Sequence, residues 1–576
     1  FQHPTILTKE VFMNDIRRTI LWVIFGFSMV LLWDKWQVHN GKQASFFPSS
    51  TTASAPAAPA SAANGAASTS SVPTATTGGA TAAQVPGEAA RVSPAAHERV
   101  TFNTDVLEVT FDTLGGSMVK TSLPRFKALD KSGKTFVLLD ESADRVYLAQ
   151  TGLVGGDFPN HKTPLALVPG DRTLKDGQNE LVVRFESPDV GGVKLVKTYT
   201  FERGSYAVRV QHDVQNTGTA AVAPQLYMQL VRDGNPPPGE SSFYSTFTGP
   251  AIYTEAKKYQ KVEFKSIENN KVDVEKTATN GYVAMVQHYF ASAWLLADGL
   301  KRDLFTRKVD NNLYAVGMIT PLDSIAPGAT QSVQSKLFVG PQEEKVLESL
   351  APGLELVKDY GWLTILAKPL YWLLTLLYGF LGNWGWAIVA LVVLLKIAFY
   401  WLNAKAYASM AKMKAVNPRI TEMRERLKDK PQQMQQEMMK IYREEKVNPM
   451  GGCFPIMVQI PVFIALYWVL LSSVEMRNAP WIGWIHDLST PDPYFILPLL
   501  MTASSLLQTA LNPAPPDPMQ AKMMWFMPLI FSVMFFFFPA GLVLYWLTNN
   551  ILSIAQQWII NTRMGVPPQF NLPKFK

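Results

Sequence analysis

Five apolar segments crowded into the last 225 residues constrain this chain more than any other feature. Gly385–Ala404, Gly452–Ser472, Pro493–Leu511, Met523–Phe538 and Gly541–Ile560 each run 16–21 residues. That is close to the roughly 20 residues a helix needs to cross about 30 Å of hydrocarbon. Ile20–Trp33 is a further apolar run, preceded by Arg17 and Arg18 and followed by Asp34 and Lys35. It is short for a span. No small-x-small cleavage site follows at once, however, and Trp22, Trp33 and Trp36 suit an interface. The run therefore reads as an uncleaved signal anchor over 13–40, N-terminus in the cytoplasm, rather than a cleaved signal. Met13 is a more natural start than Phe1, so 1–12 reads as a possible N-terminal extension. The expectation is six spans.

Leu363–Phe380 is apolar enough to suggest a seventh span. Charge argues against it. The loop 405–450 holds eleven Lys or Arg against six Asp or Glu, whereas Val474–Asp492 holds only Arg477. With five spans after an outer domain the basic loop lies in the cytoplasm, as the positive-inside rule requires; a seventh would invert it. Residues 351–384 are accordingly expected to form an amphipathic helix lying on the outer face. The loop 405–451 reads as a cytoplasmic helical hairpin, its first helix opened by Asn417-Pro418 and broken at Asp429-Lys430-Pro431. The loops 473–492 and 512–522 are expected outside and inside, and the tail 561–576 in the cytoplasm.

The rest divides into two. Residues 41–98 are mostly Ala, Ser, Thr, Pro and Gly and read as a disordered linker. From 99 to 350 short alternating runs, such as Val106–Phe111 and Lys194–Phe201, have the period of half-buried strands. About 250 residues of this kind fit one large extracytoplasmic β-sandwich. The fold class is thus a multi-pass α-helical membrane protein with a large outer β-sandwich domain. The net charge of +7 matters less than where the basic residues sit. Cys453 is the single cysteine and the seven histidines are scattered. With no phosphate-cradling glycine loop and no nucleophile-elbow serine, nothing points to an enzyme, a metal or a cofactor.

Lys396 is the most informative residue. It lies eleven residues after Gly385 and nine before Lys405, and the other four C-terminal spans hold no Asp or Glu to pair with it. A lysine at the centre of a span costs roughly 2.5–3.5 kcal/mol on insertion scales, so an unpaired one implies water. Gln459, Ser505, Gln508, Asn549, Asn550, Ser553, Gln556 and Gln557 fall at matching depths, between the midplane and the cytoplasmic end. Phe535–Phe538 occupies the opposite half of its span. Singly, each polar residue is explained by interhelical hydrogen bonding; together they suggest a hydrophilic pocket open to the cytoplasm and sealed outside. Such a pocket would shorten the path of a polar tail through lipid without nucleotide or bond chemistry. The alternatives are a channel or transporter with an outer ligand-binding domain, and a glycan receptor on a passive anchor.

Several stretches resemble the YidC/Oxa insertase family: KDYGW (Lys358–Trp362), GNWGWAIV (Gly382–Val389), SMAKM (Ser409–Met413), GGCFPIMVQIPVF (Gly451–Phe463), WIHDLSTPDPYFILP (Trp484–Pro498), DPMQAKMMWFMPLIF (Asp517–Phe531) and FPAGLVLYW (Phe538–Trp546). The resemblance runs continuously over about 350–560. It implies a bacterial inner-membrane insertase and chaperone: five core helices around a groove open to cytoplasm and lipid, with a positive residue in the first of them. Lys396 matches that residue, where the family often has arginine; lysine is the more strongly hydrated, less delocalised charge. Trp546 falls where relatives often carry tyrosine near the substrate path. By the same resemblance the hairpin recruits substrate, with Met410, Lys412, Met413, Arg424 and Arg426 as candidate contacts. Nascent membrane proteins, the Sec translocon, the ribosome and membrane lipids would be the partners, and the outer domain a β-supersandwich in the periplasm. Past Ile560 only Arg563, Lys574 and Lys576 are basic, so ribosome binding through the tail would be weak.

Overall fold

The computed structural model describes residues 72–73, 97–128, 132–238, 246–427, 430–445, 454–512, 518–563, 565 and 570. The expected anchor over 13–40 and nearly all of the linker 41–98 lie outside the described residues.

From Arg99 to Pro341 the described chain forms two nine-stranded sheets, and neighbouring strands within them run antiparallel. One sheet runs from Arg99–Asn103 at one edge to Thr277–Ala278 at the other, around Val146–Val154, Gln225–Asp233 and Leu313–Pro321. The second runs from Lys258–Lys261 to Ala166–Leu167, around Phe290–Leu296, Thr330–Pro341 and Ala207–Asn216. Outer strands keep the period of two: in Glu180–Glu186, Leu181, Val183 and Phe185 point inward and the residues between them outward. Phe290–Leu296 is buried on both faces and loses the alternation. Phe111, Phe185, Leu195, Leu226, Trp294 and Phe338 share one core between the sheets, each contributing about 1.5–3 kcal/mol of burial. The Trp294 indole N–H donates to the Gln229 carbonyl of the facing sheet at 3.2 Å, fixing their relative position.

This core also contains a cation. Lys197 is fully buried, and its Nζ donates to the Gly115 and Thr151 carbonyls, each at 2.7 Å. Burial pulls its pKa down to about 7. The Gly115 carbonyl reaches it from a left-handed turn at φ +72°, where a Cβ would stand 2.4 Å from the His161 carbonyl oxygen. Only glycine fits there.

Two short helices, α1 (Phe264–Glu268) and α2 (Glu344–Leu350), belong to the sandwich. Among the described residues eight more follow: α3 (Thr364–Leu381), α4 (Trp384–Ala398), α5 (Tyr400–Arg426), α6 (Pro431–Glu444), α7 (Phe454–Ser472), α8 (Ile496–Leu511), α9 (Pro518–Phe535) and α10 (Ala540–Arg563). A second apolar core, including Leu374, Ile388, Leu466, Met501, Phe535 and Val543, joins α3, α4 and α7–α10. α3 keeps an apolar outer face, with Ile365 at 88% and Phe380 at 80% exposure. By length and composition α3 is the one described helix apolar enough to cross a membrane alone.

Two expectations need correction. The segment 385–404 is not one straight helix: it breaks at Phe399, and α4 meets the first turns of α5 at 67°. No proline or glycine marks the break. Polar side chains on either side of it, Lys396 and Asn403, are each bonded to α10, which holds both arms against the same helix. Nor does Asn417-Pro418 open a helix. α5 runs straight through Pro418, because Val416, Ile420 and Met423 are spaced as one helical stripe across it and pack with Ile441 of α6 in a small core. Packing of that stripe overrides a local helix-start signal.

Candidate functional site

α10 organises the polar residues of the helical region. Asn549, Asn550, Ser553, Gln556 and Gln557 recur at spacings of three and four, so they form a stripe along one side of that helix. Lys396 of α4 donates to Ser553 Oγ at 2.6 Å, and the Gln459 side-chain amide of α7 donates to Asn549 Oδ1 at 3.3 Å. From the other side Asn550 Nδ2 donates to Ser504 Oγ at 3.2 Å and to Ser505 Oγ at 2.8 Å on α8. One turn further along, Asn403 Nδ2 donates to Gln556 Oε1 at 3.5 Å, and Gln557 Nε2 to Asn512 Oδ1 at 3.1 Å.

Lys396 has no carboxylate partner among the described residues. Its one acceptor among the described residues is a neutral hydroxyl, that of Ser553. Lys396, Gln459, Ser505 and Asn549 are half-buried, while Asn550, Ser553, Gln556 and Gln557 are buried. Gln556 Nε2 and Gln557 Oε1 are buried without a partner among the described residues. Such a layer suits solvated polar material more than lipid.

Aromatic rings close one end of the layer. Trp546, one turn before Asn549, lies 4.5 Å from Phe463 and 4.9 Å from Phe535 between ring centres. Phe538 extends the cluster at 5.6 Å from Phe535 and 6.2 Å from Tyr467.

Seven of the eight groove residues expected from sequence thus gather around α10, Trp546 through the aromatic end. Gln508 is half-buried and makes no hydrogen bond to the layer among the described residues. Asn403 and Ser504 were not expected. Asn403 lies beyond the break at Phe399, and the bend there brings its side chain to the same helix as Lys396. The hairpin residues stay apart from the layer. Lys412 and Arg426 are exposed, Met410, Met413 and Arg424 half-buried, and Arg426 pairs with Glu437 across the hairpin.

Comparison with known proteins adds the family. A family model described as "YidC periplasmic domain" matches residues 99–373, and one described as "60Kd inner membrane protein" matches 376–566. A protein named membrane protein insertase YidC from Cupriavidus metallidurans is 57% identical over 551 residues, covering 96% of this chain and 98% of the relative. The chain belongs to the YidC family of membrane protein insertases. A relative of the same name from Ralstonia nicotianae is 55% identical over 96% of the chain. A crystal structure of an active YidC insertase overlays with a TM-score of 0.37 at 18% identity, covering 79% of this chain and 91% of that one. An overlay of that size adds nothing to the assignment. Family membership makes this a bacterial inner-membrane protein with a periplasmic β-sandwich and a helical C-terminal region, in a family of insertases rather than enzymes.

Proposed function

We propose that the polar layer around α10 is the floor of a hydrophilic groove, open to cytoplasm and lipid, through which nascent membrane proteins enter the bilayer. The observation that carries this reading is Lys396, an ammonium among apolar helices whose one partner among the described residues is the Ser553 hydroxyl. A short polar tail resting in the groove has only the outer half of the hydrocarbon left to cross. Lys396 attracts its acidic groups, and the client helix then leaves the groove for lipid, which supplies the drive.

In this reading the anchor and five core helices give six spans, with both termini in the cytoplasm. α3 lies on the outer surface, which its bonds to the periplasmic side support: Lys368 pairs with Glu355 at 3.3 Å, and Tyr371 donates to Glu475. The hairpin of α5 and α6 recruits clients through Met410, Lys412, Met413, Arg424 and Arg426, alone or with the Sec translocon and the ribosome. Groove residues are Lys396, Gln459, Ser505, Gln508, Trp546, Asn549, Asn550 and Ser553.

A photo-crosslinking side chain at Gln459 or Ser505, in membranes making an arrested single-span client, tests this. Adducts at both positions, and none from Val182 on the sandwich surface, are expected. Adducts confined to the hairpin would contradict a groove.

A further inference from the structure

Just past α7 the turn Val474–Met476 enters both halves of the molecule at once. Val474 is 2% exposed and belongs to the core of the β-sandwich, whereas Met476, two residues on, is 2% exposed in the core of the helical region. Between them Glu475 accepts from Lys358 Nζ, which stands 3.3 Å from both carboxylate oxygens, and from the Tyr371 hydroxyl of α3. The Lys358 side chain is fully buried, and its ammonium lies 3.9 Å from the Tyr371 ring centre. A buried pair of this kind holds only while both partners are present.

Arg477 completes the arrangement from the sandwich side. Its guanidinium lies 5.2–6.0 Å from the ring centres of Phe126, Phe136, Tyr289 and Phe290, and it donates to the Lys127 carbonyl. No carboxylate pairs with it among the described residues. A planar, weakly hydrated cation suits such an aromatic box. Two further bonds cross the same boundary. His288 Nε2 donates to the Leu471 carbonyl at 2.9 Å, and Ser472 Oγ donates to the Asp359 carbonyl at 2.7 Å.

We infer that Glu475 and Arg477 are positioning residues that fix the periplasmic sandwich and the helical core as one rigid body through the outer end of α7. The same helix carries Gln459, roughly 20 Å further along at about 1.5 Å per residue, so the sandwich sets the placement of one wall of the polar layer. Alternation of a sandwich-core residue and a helix-core residue within one turn is what a fixed joint requires. A tethered domain would keep both cores closed and leave the linker wet.

Spin labels at Val182→Cys on the sandwich and Ile551→Cys on α10 test this in the full chain, with Cys453→Ser as background and the protein in lipid nanodiscs. A narrow distance distribution is expected in the parent. Arg477→Met should broaden it at least twofold and raise amide exchange of Leu471–Arg477 about tenfold, while Arg477→Lys returns it towards the parent. Unchanged exchange in the strand Val193–Glu202 certifies that the sandwich is still folded. Should Arg477→Met unfold it, Glu475→Gln decides by the same two readouts. A parent distribution already broad, or both variants as narrow as the parent, would overturn the joint. The distances need no client, so they stand or fall separately from the insertion reading.

Discussion

At the scale of single residues, Lys396 is where chemistry and stability pull apart. Holding an ammonium among apolar helices costs roughly 2.5–3.5 kcal/mol on insertion scales, and its bond to Ser553 returns about 1.5–3 kcal/mol. Lys396→Leu is therefore expected to leave the helical core at least as stable. It should slow insertion of a client with an acidic tail about tenfold relative to a neutral one, a difference of about 1.4 kcal/mol. Rates of the two clients measured side by side in parent and variant check this; equal slowing of both would leave a wet groove without charge attraction. Lys396 and the Asn549–Gln557 stripe were legible because a polar side chain is conspicuous in an apolar run. Asn403 was lost because the break at Phe399 cannot be read from residues that carry no proline or glycine.

At the scale of elements, α5 sets local propensity against packing. Pro418 removes one hydrogen bond from the helix interior and crowds the preceding turn, which costs about 3 kcal/mol in an ordinary helix. The stripe of Val416, Ile420 and Met423 against Ile441 offsets it. Pro418→Ala should therefore stabilise α5 by up to about 3 kcal/mol, seen as slower amide exchange over residues 412–424. Faster exchange there would mean that the proline fits a bend the hairpin needs. The same competition explains what sequence could and could not give. Outer strands such as Glu180–Glu186 announce themselves by alternation. Phe290–Leu296 does not, because burial on both faces removes the polar half of the pattern. Asn417-Pro418 is a sound helix-start signal that loses to a stripe visible only once α6 is in place.

For the whole molecule, the sandwich stores a pH dependence in its buried histidines and lysine. Burial holds His161 and His212 neutral, with pKa values lowered to about 3, and His288 to about 4, against 6.5 when unfolded. Between those limits the unfolded chain binds more protons, so this stabilisation is complete above pH 6.5 and is lost as pH falls towards 3–4. Lys197, lowered to about 7 from 10.5 by burial, acts in the same direction over its own range, stability rising with pH from about 7 to 10.5. Amide exchange in Val193–Glu202 and Ala207–Asn216 should thus be slower, after correction for intrinsic rates, at pH 8 than at pH 5. No difference would mean that the buried cluster is not closed to solvent. Sequence could not reveal this cluster or the turn at Val474–Met476, since both depend on residues far apart in the chain meeting inside one core.

The proposed groove is expected to move a polar tail across the bilayer without a nucleotide and, for a short-tailed client, without a partner. Its most direct test is insertion of a short-tailed, single-span client into liposomes containing only the purified full-length protein and no ATP, read as protease protection. Protection above both empty liposomes and liposomes holding an unrelated membrane protein is predicted. Protection no greater than in those two controls would contradict it.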